Sequence, residues 1–217
     1  MNFRCNHFNL FYLCLALPAY ASAQTPAPTT DPKTSASTET IVLLRHGEKP
    51  AEEFGQLSCA GLNRALALPQ VLISKYGRAD FIFAPDPTTK IVKEGVEYSY
   101  LRPLAAIEPT AIQLGLPVET KFGFREIELL QKELLAPKYQ RSVIFVAWEH
   151  NQLARLVKNL LATFGTDSAT VPDWKGDDFD SIYVVRIQSR PDGKRVTFQH
   201  DHEGLDGLST DCPEPKR

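Results

Sequence analysis

Two histidines each stand just after a continuous apolar run. His46 follows residues 41–44 with only Arg45 between, and His150 follows residues 143–147 after two further residues. An imidazole can act as a nucleophile or as a proton carrier near neutral pH. An arginine would repel a protonated neighbouring histidine, unless both side chains face an anion such as phosphate, which a guanidinium binds through a planar fork. Either histidine alone could equally be a loop residue with an ordinary hydrogen bond.

The elements that must position these residues are strands alternating with helices. The two apolar runs are typical of strands buried on both faces. Further strands are predicted at 80–83, 118–120, 182–187 and 195–198, and helices from Ser58, over 103–114, over 124–135 and after His150, with a long loop over 85–101. This order predicts an α/β fold, a three-layer α/β/α domain with a mainly parallel central sheet. Ligands bind such sheets at the carboxyl ends of the strands, which is where both histidines would lie.

The segment Leu44-Arg45-His46-Gly47-Glu48 resembles the signature of the histidine phosphatase superfamily, whose fold is phosphoglycerate mutase-like. Four later segments are similar to family segments and follow in the same order: 57–65, 102–108, 124–127 and 146–150. The resemblance extends from about Ile41 to Ile187. It points to the compact branch of the family, because the His-Asp motif of the other branch is absent and Asn151 follows His150.

The resemblance implies a role for each matching residue. His46 would attack a phosphate monoester and form a phosphohistidine, while Arg45, Arg102 and His150 bind the phosphate. Glu126 would be the general acid and base. No metal ion or other cofactor is implied.

Some of these roles have rivals. Glu48 and Glu149 are alternative acids, because each adjoins a catalytic histidine. An unusually long stretch precedes Arg102, so Lys90 or Lys93 could supply the second positive charge instead.

The implied function is that of a phosphomonoesterase acting on a small-molecule or protein phosphate ester. A phosphomutase using the same site and a non-catalytic phosphate-binding or interaction protein on the same scaffold are the alternatives. The formal net charge of −2 gives no basic surface for nucleic acid.

The chain divides into four predicted parts. Residues 1–23 have the apolar run and the Ala-Ser-Ala site of a cleaved signal peptide, and residues 24–38 form a flexible leader rich in Thr, Pro, Ser and Ala. Residues 39–205 would be the catalytic domain and 206–217 a tail. The N-terminal apolar run is too short for a membrane span and no other segment approaches that length, so we expect a periplasmic or secreted protein without a membrane span after cleavage.

Cysteines and C-terminal histidines leave further alternatives open. Removal of the signal peptide would leave Cys59 and Cys212, which could form a disulfide or remain two thiols. His200 and His202 have a spacing compatible with a metal site, although an exposed polar segment after an edge strand explains them equally well.

Overall fold

The structure is a computed structural model that describes residues 37–52 and 55–214. The predicted signal peptide and the leader up to residue 36 lie outside these residues. The strands are β1 (Ser37–Arg45), β2 (Phe81–Phe83), β3 (Lys90–Lys93), β4 (Val96–Ser99), β5 (Val118–Glu119), β6 (Val143–Trp148), β7 (Ser181–Arg190) and β8 (Gly193–His202). The helices are α1 (Cys59–Tyr76), α2 (Arg102–Leu114), α3 (Ile127–Leu134) and α4 (His150–Thr163), with short 3₁₀ turns at Pro137–Tyr139 and Ser168–Thr170.

Six strands of the described residues form one sheet in the order β5-β2-β6-β1-β7-β8. The first four strands of that order are parallel, and β7 and β8 are antiparallel additions at one edge. The predicted mainly parallel sheet is therefore confirmed. The central pair is β1 and β6, which are the two apolar runs that precede the histidines.

The side chains of β1 alternate between two apolar cores, one on each face of the sheet. Ile41 and Leu43 pack with residues of α3 and α4, whereas Val42 and Leu44 pack with residues of α1 and α2. All four are completely buried. A strand buried on both faces needs helices on both sides, and this produces the three predicted layers.

Two predicted elements were wrong in detail. The loop predicted over 85–101 contains the β3–β4 hairpin, which turns at Glu94 and Gly95, both with positive φ. Its strands are short, exposed and rich in charge, so they lack the apolar pattern that identifies buried strands. The helix predicted from Phe124 begins at Ile127, because Glu126 has the non-helical dihedrals of an N-cap residue.

No helix of the described residues is long and apolar enough to cross a membrane.

Candidate active site

His46 lies at the carboxyl end of β1, beside the end of β6. Its backbone N–H donates to the carbonyl of Trp148 at 3.3 Å, which continues the β1–β6 ladder by one residue. The side chain is 2% exposed, and its Nδ1 lies 2.8 Å from the carbonyl oxygen of Gly47. Since a carbonyl only accepts, Nδ1 carries the proton and Nε2 keeps its lone pair. His46 therefore has the tautomer that a nucleophile attacking through Nε2 requires.

The His46 ring is uncharged at neutral pH. Burial is the main reason that its pKa falls from 6.5 to about 3, and the positive charges of Arg102 and Arg45 lower it further. The hydrogen bond to Gly47 and the charge of Glu149 act in the opposite direction but are smaller effects. The two arginines and Glu149 therefore lie within electrostatic reach of the His46 ring.

Arg45 is buried and held by the segment that precedes β7. Its Nη1 donates to the carbonyls of Lys175, Gly176 and Asp178 at 3.4, 2.9 and 2.8 Å. The guanidinium carbon lies 4.0 Å from the ring centroid of Phe179. By contrast, Nε of Arg45 is buried and finds no hydrogen-bond partner in the part of the chain that the structure describes. The Nη1 group of the guanidinium is thus held by backbone carbonyls of the protein. The N–H of Nε is left as a donor that an anion could accept from.

The carboxylate of Asp178 holds this segment in place. It accepts hydrogen bonds from the hydroxyl of Ser181 at 2.6 Å and from the backbone N–H groups of Asp180 and Ser181 at 3.0 Å each. The same hydroxyl lies 2.7 Å from Nε2 of His200. Burial alone would raise the pKa of Asp178, but these hydrogen bonds lower it, so Asp178 is ionised at neutral pH. His200 is thereby engaged in supporting the Arg45 segment.

Arg102 is the first residue of α2 and is 6% exposed. Its guanidinium carbon lies 5.0 Å from the ring centroid of Tyr100, whose ring lies 6.1 Å from that of His46. The charge of Arg102 lowers the pKa of both His46 and Arg45. The structure therefore brings Arg102 into the group around His46, despite the long stretch before it.

Two lysines add to the positive charge of this region. The pKa of Lys49 is lowered by burial and then by the charges of Arg102, Lys93 and Arg45. The alternative residue Lys93 therefore lies, like Arg102, within electrostatic reach of Lys49. Lys90, the other alternative, instead donates from Nζ to Ser99 within the hairpin at 2.8 Å. Several cations held close together repel one another unless an anion joins them.

His150 is the first residue of α4, and its Nδ1 lies 2.7 Å from Oε1 of Glu149. Glu149 also caps α4 by accepting from the backbone N–H of Gln152 at 2.9 Å. Burial raises the pKa of Glu149, but the hydrogen bonds from His150, Gln152 and Asn151 outweigh it and lower that pKa to about 2. Glu149 is a carboxylate that orients His150 rather than a proton donor.

Glu48 is occupied by an ion-pair network. Both of its carboxylate oxygens accept from Nε of buried Arg64 at 3.1 Å, and Oε1 also accepts from Nη2 at 2.8 Å. Arg64 further pairs with Asp180, Glu203 and Asp206. Burial alone would raise the pKa of Glu48, but the hydrogen bonds and charge of Arg64 outweigh burial and hold this pKa below its usual value. Glu48 fixes the turn after His46 and is not a proton donor.

Glu126 is exposed and lies at the N-terminus of α3, where its Oε2 accepts from the backbone N–H of Gly123 at 2.8 Å. It lines a cavity of about 520 Å³ together with Asp86, Lys90 and Phe124. The Phe124 ring lies 5.0 Å from that of Tyr100, which in turn contacts His46. Glu126 therefore borders a cavity next to the His46 group, and its catalytic role remains a prediction.

The alternative of a metal site at His200 and His202 gains no support. Within residues 37–52 and 55–214, no group of three or more His, Cys, Asp or Glu side chains is placed to hold a metal ion. Trp174 belongs to the core, and its indole N–H donates at 3.1 Å to the Asp178 carbonyl, which also binds Arg45.

The sequence interpretation missed Tyr100 and Lys49. Tyr100 is 2% exposed and lies two residues before Arg102, and Lys49 follows the Arg-His-Gly-Glu segment directly. The sequence did carry one signal, because each residue lies within four positions of a predicted phosphate-binding arginine. Nothing in the local pattern indicated that the ring of Tyr100 would be buried.

No family model matches the sequence, and no curated protein matches it either. Similarity to solved structures is clear. The chain superposes on a candidate phosphohistidine phosphatase, SixA, from Nakamurella multipartitia with a TM-score of 0.50 and 15% identity, over 76% of this chain and 96% of that one.

Two further matches are phosphoglycerate mutase from Plasmodium falciparum and a mycobacterial glucosyl-3-phosphoglycerate phosphatase. The mutase match has a TM-score of 0.49 and 12% identity over 83% of this chain and 99% of the mutase. The phosphatase match has a TM-score of 0.47 and 14% identity over 74% and 97%. The superposition on SixA shows the fold of the chain, and this fold is the one expected from the resemblance of its Arg-His-Gly-Glu segment to the histidine phosphatase superfamily.

Proposed function

We propose that the protein is a phosphomonoesterase that works through a phosphohistidine on His46 without a metal ion. The observation that carries the proposal is the state of the His46 ring. It is buried, its Nδ1 donates to a carbonyl, and its pKa of about 3 leaves Nε2 unprotonated within electrostatic reach of two arginines. A neutral imidazole is a nucleophile, and neighbouring guanidinium groups attract the phosphate that it would attack.

In the first step, the lone pair of His46 Nε2 attacks the phosphorus in line and the bond to the ester oxygen breaks. Glu126 gives its proton to the leaving oxygen. Arg45, Arg102 and His150 hold the other phosphate oxygens and balance their charge. The charge of Lys93, which lies close enough to Lys49 to lower its pKa, and the charge of Lys49 itself would also attract the dianion.

In the second step, water attacks the phosphohistidine, gives a proton to Glu126, and inorganic phosphate leaves. Glu126 is preferred as the acid because its two rivals are committed elsewhere. Glu149 is ionised with a pKa of about 2 and contacts Nδ1 of His150, and the carboxylate of Glu48 accepts hydrogen bonds from Arg64. Glu126→Gln should therefore lower kcat by about 10²- to 10⁴-fold, with a smaller loss for an aryl phosphate whose leaving group needs no protonation.

The test measures hydrolysis of a chromogenic aryl phosphate with and without a chelator. The wild type should turn over in chelator, while His46→Ala should be inactive. His202→Ala is the matched control, because the side chain of His202 is exposed. Rapid quenching with alkali after mixing the wild type with a ³²P-labelled substrate should trap a label that is stable to alkali and lost in acid, and His46→Ala should lack this label.

Other outcomes would overturn the proposal. Net transfer of phosphate between two alcohols of a sugar or glycerate phosphate would indicate a phosphomutase. An inert wild type that still binds inorganic phosphate would indicate a non-catalytic phosphate-binding protein. Activity retained in His46→Ala would remove His46 from the mechanism.

Export belongs to the same proposal. We expect cleavage after Ala23 and a periplasmic or secreted mature protein, because residues 1–23 have the composition of a signal peptide. The N-terminal sequence of the protein recovered from the periplasm or the medium tests this. A protein that stays inside the cell with residue 1 retained would contradict it.

A further inference from the structure

The hydroxyl of Tyr100 is a buried donor without an acceptor. Tyr100 is 2% exposed, and its hydroxyl proton has no acceptor among residues 37–52 and 55–214. Such buried hydroxyl groups are rare in folded proteins, because the lost hydration costs about 1–3 kcal/mol when no partner replaces it. A tyrosine that served only to fill the core could be a phenylalanine and avoid this cost.

The surroundings of Tyr100 are those of the His46 group. Its ring contacts the His46 ring edge to face at 6.1 Å, and the guanidinium carbon of Arg102 lies 5.0 Å from its centroid. Burial raises the pKa of the Tyr100 phenol, and the charge of Glu149 raises it further, whereas the charge of Arg102, a hydrogen bond from its guanidinium and the charge of Arg45 lower it. That hydrogen bond uses the oxygen of the phenol as acceptor and leaves its O–H free to donate. The phenol therefore lies within electrostatic reach of residues from the ends of β1 and β6 and from the start of α2.

The charged groups nearby do not provide the missing acceptor. Arg45 and Arg102 have only donors. Glu149 is committed to His150 and to the cap of α4. Arg45 Nε is a second buried donor in the same group that also lacks a partner within the described residues. Two unsatisfied donors beside one uncharged histidine are explained together by a ligand that offers acceptor oxygens and negative charge.

We propose that the Tyr100 hydroxyl donates a hydrogen bond to an oxygen of the phosphate group and so forms a further part of the catalytic site. This inference rests on the proposed function, since it assigns Tyr100 to the phosphate that His46 attacks. The phenol keeps its proton throughout the reaction, and no bond of Tyr100 is made or broken. Its contribution is electrostatic, because a fixed donor in a water-excluded site stabilises charge on the equatorial oxygens of the transition state.

The test is Tyr100→Phe, which removes one oxygen and keeps the ring contacts. We expect inorganic phosphate to bind about 10-fold more weakly by calorimetry, and kcat/KM for the aryl phosphate to fall by about 10- to 100-fold. The melting temperature of the free protein should change little, because the buried O–H that the variant removes has no acceptor there. If Tyr100 served stability alone, Tyr100→Phe would lower the melting temperature and leave phosphate affinity and kcat/KM unchanged.

Tyr139→Phe is the matched control. Tyr139 is 1% exposed, but its hydroxyl donates to Glu133 of α3 at 2.8 Å, and its ring packs against Phe81 and Phe83. Its loss should lower the melting temperature and leave phosphate binding and turnover unchanged.

The outcomes separate this inference from the proposed function. An active wild type with Tyr100→Phe equal to it in both phosphate affinity and kcat/KM would overturn the role of Tyr100 and leave the phosphatase intact. An inactive wild type whose phosphate binding is weakened by Tyr100→Phe would overturn the phosphatase and support the contact. A lower melting temperature with unchanged phosphate affinity would make Tyr100 a structural residue.

Discussion

At the scale of single residues, the hydrogen bond from His46 Nδ1 to the Gly47 carbonyl decides which ring nitrogen is free to react. Because the pKa of His46 is lowered to about 3, mainly by burial, the ring should stay neutral with the proton on Nδ1 from pH 8 down to about pH 4. Two-bond ¹H–¹⁵N NMR spectra of the imidazoles, recorded through a pH titration, measure both the tautomer and the pKa.

His46→Gln identifies the signal and serves as the control. A ring that titrates near pH 6.5, or that carries its proton on Nε2, would contradict the prediction.

The lowered pKa of His46 also makes the stability of the fold depend on pH. The folded protein binds fewer protons at His46 than the unfolded chain does, so the stability linked to this residue is complete above pH 6.5 and is lost as the pH falls towards about 3. His46→Gln should therefore be less sensitive to acid than the wild type.

A second prediction at this scale concerns Ser181, which acts on Arg45 through Asp178. Ser181→Ala removes the 2.6 Å hydrogen bond to the Asp178 carboxylate, while the Asp178 carbonyl is one of the groups that hold Arg45. The arginine should become less ordered, and inorganic phosphate should bind about 3- to 10-fold more weakly in calorimetry. Ser189→Ala, at the far end of the same strand, is the control.

A double-mutant cycle separates positioning from general destabilisation. In an Arg45→Ala background, Ser181→Ala should have little further effect on phosphate binding, because the residue that it positions is gone. Full additivity of the two effects would mean that Ser181 does not act through Arg45.

At the scale of elements, the turn after β1 packs directly on the first turn of α1. The backbone N–H of Ser58 donates to the carbonyl of Glu48 at 2.9 Å, and a Cβ on Gly61 would lie 2.3 Å from that same oxygen. Alanine in a helix normally gains about 0.5–1 kcal/mol over glycine. At Gly61, alanine should instead lower the free energy of unfolding by about 1–3 kcal/mol, because its Cβ would push the backbone of Glu48 away from α1.

Urea unfolding of Gly61→Ala measures this cost, and aryl phosphate turnover should fall with it, since the displaced turn carries His46. Gln70→Ala, which changes an exposed residue of the same helix, is the control and should leave both nearly unchanged. A Gly61→Ala protein more stable than the wild type would show that the turn and α1 are not in close contact.

The elements also show what the sequence could and could not predict. The two runs before His46 and His150 were identifiable because strands buried on both faces are apolar throughout, and their adjacency follows from the rules for parallel sheets. The β3–β4 hairpin was missed because its strands pair with each other at the surface and need no apolar pattern. The Lys175–Asp178 carbonyls that bind Arg45 could not be predicted, since backbone acceptors have no signature in residue type.

At the scale of the whole molecule, a disulfide between Cys59 and Cys212 joins the start of α1 to the C-terminal segment. The sequence left this pairing open, because spacing alone does not show which segments meet in space. Asn63 reinforces the connection by donating to the carbonyls of Ser209 and Asp211 at 2.8 Å each. The C-terminal segment is thus fastened to the helix on which the His46 turn packs.

Reduction of this disulfide should destabilise the entire fold rather than the C-terminal segment alone. The bridge spans 153 residues of sequence, so it restricts the unfolded chain strongly, and its loss should cost about 2–5 kcal/mol. For a domain of this size, that corresponds to a fall in melting temperature of roughly 5–15 °C. Calorimetry with and without reductant measures the fall, and the double variant Cys59→Ser with Cys212→Ser should match the reduced wild type and be insensitive to reductant. A melting temperature that reductant leaves unchanged in the wild type, with both thiols shown to be free by alkylation, would mean that the bridge constrains the unfolded chain too little to stabilise the fold.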